Sequence, residues 1–138
     1  MNERFELRIP PSPSSVAAAR GFVVDVAAQL SWFDEGRLDD LRLLVSEITT
    51  NAVRAQLRHG SSEPIEVWCA IRTAGFVVEV HDHAGGFDAP DPPRIPDPSS
   101  GEEGGFGLAI VSTLADDTHF QSNDGGTIVR FVLDAPSA

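Results

Sequence analysis

The chain has no lysine, one cysteine among its 138 residues, and no apolar run near the roughly 20 residues a membrane-spanning helix needs. Each absence excludes something. With Cys69 alone, an intrachain disulfide and an all-cysteine zinc site are both ruled out. Without lysine there can be neither a Walker A loop nor the strand lysine of the protein kinases, so the charge of a phosphate ligand falls to arginine, backbone N–H groups or a hard cation such as magnesium. Basic residues are scarce too: ten arginines face 21 acidic residues, a formal net charge of -11. That balance argues against nucleic acid, whose binders carry a basic stripe that displaces counterions. A basic protein surface is the more natural partner. Met1-Asn2-Glu3-Arg4 opens no secretory signal, so a soluble, cytoplasmic protein without membrane attachment is expected. The length suits one two-layer domain spanning 1–138 and leaves no room for a second.

Phe5-Glu6-Leu7-Arg8-Ile9 alternates apolar and polar residues, as a half-buried strand does. Ser14 or Ser15 is placed to cap a helix running to about Leu30, with Val16, Ala19, Val23, Val26 and Leu30 at helical spacing and Arg20 on a different side. From about Arg37 to His59, Leu38, Leu41, Val45, Ile48, Ala52 and Ala55 mark a long helix that Gly60 stops. Ile65 to Ile71 and Phe76 to Val80 read as adjacent antiparallel strands. Gly85 to Gly105 is a long glycine- and proline-rich loop, Phe106 to Ala115 a third helix, and Asn123-Asp124-Gly125-Gly126 the turn of a last hairpin. The order predicts an α+β two-layer sandwich, a mixed and mainly antiparallel sheet with helices on one face.

Three places carry candidate chemistry. Glu47 and Asn51 stand four apart on the long helix, so a carboxylate able to take a proton and an amide oxygen able to ligate magnesium address one point. Asp82 shares a strand face with Phe76, Val78 and Val80, which aims its carboxylate at the apolar interior. There it needs a partner, such as a ligand amine, or else it caps the Gly85-Gly86 turn. Gly104-Gly105-Phe106-Gly107-Leu108 opens the third helix, where free N–H groups and the helix dipole attract phosphate.

Taken in order, Glu47-Ile48-Thr49-Thr50-Asn51-Ala52, Asp82-His83-Ala84-Gly85-Gly86-Phe87, Gly105-Phe106-Gly107-Leu108-Ala109-Ile110 and Gly126-Thr127 resemble the N, G1, G2 and G3 boxes of the GHKL ATPases. The chain is most similar to the compact anti-sigma-factor serine kinases of bacteria. The resemblance implies an ATP pocket with magnesium. Glu47 would be the general base, Asn51 the magnesium ligand, and Asp82 the acceptor for the adenine amine. Gly86 would let the chain pass the base closely, Gly105 and Gly107 with Leu108 would line the phosphates, and Thr127 would complete the adenine pocket. Residues 87–104 would form an ATP lid, with Arg94 reaching the phosphates. The implied partners are a sigma factor, which Arg20 would grip, and an anti-anti-sigma (STAS) protein as phosphoryl acceptor; a homodimer is a family expectation.

Two departures stand out. Ala84 replaces the first glycine of the G1 pattern, at a cost of about 1–2 kcal/mol if that position is left-handed. His59-Gly60 lies a helical turn further from Asn51 than the family pattern has it. His81 and His83 flank Asp82 without a third ligand at zinc spacing. Ser46, Thr49 and Thr50 lack the His and Asp of a triad and read as helix packing. Two functions follow: a kinase acting on the STAS partner, or a non-catalytic module that sequesters a partner and uses ATP only structurally or not at all.

Overall fold

The computed structural model describes residues 3–84, 113–123 and 125–136. Strand β1 spans Glu3–Ile9, helix α1 Ser15–Ala27, helix α2 Glu35–His59, then β2 Ile65–Ile71, β3 Gly75–His81, β4 Asp117–Asn123 and β5 Gly126–Asp134. The strands form one sheet in the order β1-β2-β3-β5-β4, in which every neighbouring pair is antiparallel. Among the described residues the expected parallel component is therefore missing. The chain leaves β3, returns as the edge strand β4, and then inserts β5 between the two, so the co-directional β3 and β4 never touch. The predicted third helix falls almost wholly outside the described residues. Among the described residues no helix is long and apolar enough to cross a membrane.

One face of the sheet and the inner faces of both helices make the core. Ile65, Val67 and Cys69 of β2, Phe76, Val78 and Val80 of β3, and Val129, Phe131 and Leu133 of β5 point into it, as period-two alternation requires. α1 contributes Ala19, Val23, Val26 and Ala27, and α2 contributes Leu41, Leu44, Val45, Ile48 and Ala52. Burial raises the Cys69 thiol pKa to about 12, so it stays protonated and inert.

The helix ends depart from expectation in instructive ways. α2 begins at Glu35 because the Asp34 carboxylate accepts the Arg37 N–H at 2.8 Å, a polar cap one turn before the apolar stripe starts. It ends as foreseen at Gly60, whose φ of 69° lets Ser61 N–H reach the Gln56 carbonyl at 3.0 Å. α1 stops at Ala27, with Leu30 held by a tight turn to the Ala27 carbonyl at 2.9 Å. Ser14 occupies the cap position with helical dihedrals and makes no side-chain cap bond.

Candidate functional site

The site is built where the end of β3 meets the start of β5 beneath the second half of α2. Asp82 follows β3 directly and is only 7% exposed. Its backbone N–H donates to the Thr127 carbonyl at 2.9 Å. Its Oδ1 accepts the Thr127 N–H at 3.1 Å and the Ala84 N–H at 3.2 Å. Asp82 therefore faces inward and caps the start of its own turn at Ala84, while Gly85 and Gly86 lie outside the described residues. Burial pushes its pKa above the ordinary carboxylate range. The two backbone donors and the nearby His83 and His59 pull the other way without cancelling that shift. Thr127 is 2% exposed, and its hydroxyl lies 3.1 Å from that of Ser122.

Two further residues hold this corner together, Gly126 of the hairpin turn read in the sequence and Gln56, which the sequence did not single out. Gly126 has φ 148°, and a Cβ on it would fall 1.9 Å from the Asp82 carbonyl oxygen, so the β5 backbone can reach Asp82 only with glycine there. Gln56 of α2 is wholly buried; its Nε2 donates to the Glu63 carbonyl at 2.7 Å and its Oε1 accepts the His83 N–H at 2.9 Å. One amide thus ties α2 to the turn that carries Asp82. A signal existed: Gln56 lies four residues after Ala52 on the apolar stripe, and a polar residue there needs buried partners.

Ala84 is 3% exposed, and among the described residues glycine alone has positive φ. The left-handed strain foreseen for Ala84 does not arise. His81 Nε2 pairs with Glu79 Oε1 at 3.1 Å and His83 Nε2 with Glu66 Oε2 at 3.0 Å, so each histidine serves its own carboxylate. No group of three metal-ligating residues occurs among the described residues.

Glu47 and Asn51 are half-buried, one helical turn apart on α2. Between them Thr49 is fully buried, its Oγ1 without a hydrogen-bond partner among the described residues. Arg20 is half-buried: Nη1 donates to Ser46 Oγ at 3.1 Å, which locks α1 to α2 one residue before Glu47. Gly86, Gly105, Gly107, Leu108, Arg94 and the whole segment 87–104 lie outside the described residues.

A family model described as a histidine kinase-like ATPase domain matches residues 9–133, from the last residue of β1 to nearly the end of β5. The chain belongs to the histidine kinase-like ATPase domain family. Among its relatives, the serine-protein kinase RsbW of Bacillus pumilus is 31% identical over 142 residues, covering 93% of this chain and 86% of its own. The serine-protein kinase RsbW of Bacillus velezensis is 30% identical over 131 residues, covering 89% and 81%. The same fold occurs in the crystal structure of the RsbU and RsbW domains of Rv1364c from Mycobacterium tuberculosis. The TM-score is 0.71 at 17% identity, over 98% of this chain and 33% of that longer one. The two segments whose sequences resemble the G1 and G3 boxes meet at Asp82 and Thr127.

Proposed function

We propose that this chain is an ATP-dependent serine/threonine kinase that also holds a sigma factor inactive, with an anti-anti-sigma protein of the STAS type as phosphoryl acceptor. The observation that carries the reading is the buried Asp82 carboxylate. Both of its backbone bonds fall on Oδ1, and burial penalises the charge that remains. An exocyclic amine donating to the other oxygen satisfies it, as adenine does; the carbonyl oxygen that guanine carries there does not. The names of the relatives, serine-protein kinase RsbW, agree with this reading.

The donor set fits magnesium, which prefers oxygen ligands and retains several waters. Asn51 would supply a neutral amide oxygen to it, and the ion would neutralise phosphate charge that a lysine-free chain cannot. Glu47, one turn earlier on α2, would take the proton of the acceptor hydroxyl. The hydroxyl oxygen bonds to the γ-phosphorus, the bond to the β-phosphate oxygen breaks, and ADP leaves. Gly86, Gly105, Gly107 and Leu108 would line the nucleotide, and Arg20 would contact the sigma factor.

Labelled ATP incubated with a STAS protein tests the proposal. Wild type is expected to transfer phosphate to it, and Glu47→Ala to lose transfer while still binding nucleotide. Nucleotide binding without transfer to any STAS protein would leave the non-catalytic sequestering module instead. The replacement of the G1 glycine does not favour that module, because Ala84 carries no left-handed strain.

A further inference from the structure

Arg130 lies on the sheet face away from the helices, since its neighbours Val129 and Phe131 enter the core. Cross-strand register sets it opposite Glu79 on β3 and His119 on β4. Both neighbours are engaged elsewhere. Glu79 Oε1 is bonded to His81 Nε2 and His119 Nε2 to Asp117 Oδ2, each at 3.1 Å. The Arg130 Nε is buried with no hydrogen-bond acceptor among the described residues. Buried this way, Nε is closed to a ligand, and an added acceptor reaches the half-buried Arg130 through the two terminal nitrogens of its guanidinium.

Arg130 also lines a cavity of about 430 Å³, together with Glu79, His119, Phe120, Gln121 and Ile128. That size falls in the range of small-molecule sites, and the walls combine apolar surface with a few convergent polar groups. The guanidinium fork matches a planar carboxylate in two parallel hydrogen bonds. Glu79 on the same wall disfavours a second negative charge, so a dianion such as phosphate suits the site less well. Ile128 accepts an apolar body and the Gln121 amide offers a further polar contact, while Phe120, opposite the core residue Val129, packs against the core on the other face. We propose that this cavity is a second ligand site, separate from Asp82, which binds a small monocarboxylate through Arg130.

NMR titration of the full chain with benzoate, its neutral counterpart benzamide, and inorganic phosphate tests this. Benzoate is expected to bind saturably and to shift the amides of residues 119–121 and 128–130. Benzamide and phosphate should bind at least about tenfold more weakly, the loss of one charge-assisted pair. Arg130→Gln should abolish the preference for benzoate over benzamide, and Glu79→Gln should strengthen benzoate binding. The second variant keeps the test decisive should the first fail to fold. Saturable benzoate binding that survives Arg130→Gln, equal binding of benzoate and benzamide, no saturation with benzoate, or no gain in Glu79→Gln would each overturn the proposal.

Discussion

Gln56→Leu removes the one amide that joins α2 to the turn bearing Asp82. It leaves the Glu63 carbonyl and the His83 N–H without the partners they now have at 2.7 and 2.9 Å. Each stranded group costs about 1–3 kcal/mol, so the pair costs about 2–6 kcal/mol. A domain of 138 residues unfolds with an entropy of about 0.3 kcal/mol/K, which turns that loss into a fall in Tm of about 7–20 °C. Gln56→Glu refines the test. One oxygen of the introduced carboxylate can still accept the His83 N–H, but the other meets the Glu63 carbonyl, where only a protonated carboxyl can donate. Its folded pKa is then raised above an unfolded value of about 4.3. For a raised pKa the stabilising contribution is fully present below the unfolded value and is lost as pH rises through the folded one. The Tm gap to wild type should therefore narrow as pH is lowered towards about 4. Melts followed by circular dichroism between about pH 4 and 8 read both effects. A Gln56→Leu protein melting within about 2 °C of wild type, or a Gln56→Glu gap that ignores pH, would refute the reasoning.

Asp82→Asn keeps an oxygen acceptor for the Ala84 and Thr127 N–H groups while removing the buried charge, so without ligand it should be more stable than wild type at neutral pH. Because the Asp82 pKa is raised, its contribution to wild-type stability is largest at low pH and falls as pH rises through the folded value; the variant should lack that slope in melts taken across pH. Gly126→Ala drives a methyl into the Asp82 carbonyl, so urea denaturation should show a loss of about 3 kcal/mol or more. Cys69, buried and held as a thiol, should react with an aromatic disulfide reagent only as fast as the core opens, which an unfolding-rate measurement checks.

Much of the fold was legible because its signals are local. Strands β2, β3 and β5 and helix α2 follow from apolar periods of two and of three to four, and Gly60 stops α2 as its position foretold. What escaped depends on contacts distant in sequence. The insertion of β5 between β3 and β4, which makes the sheet wholly antiparallel, is set by register across some fifty residues and leaves no mark in either strand alone. Asp82 illustrates both sides. Its inward aim follows from alternation, whereas its bond to Thr127, 45 residues away, requires the close approach that Gly126 permits. The early start of α2 was missed because Asp34 and Glu35 belong to no apolar stripe, and the Asp34 cap alone defines that turn. Gln56 was hidden by the opposite cause, a polar residue within an apolar stripe, whose partners only the fold brings together.

The central claim is that Asp82 recognises adenine. Isothermal titration of the full chain with magnesium-ATP, for wild type and Asp82→Asn, tests it most directly. Wild type is expected to bind ATP, and the variant to bind at least about tenfold more weakly, the loss of a hydrogen bond to a charged acceptor. Equal affinity in the two proteins, or no binding of ATP to wild type, would contradict it.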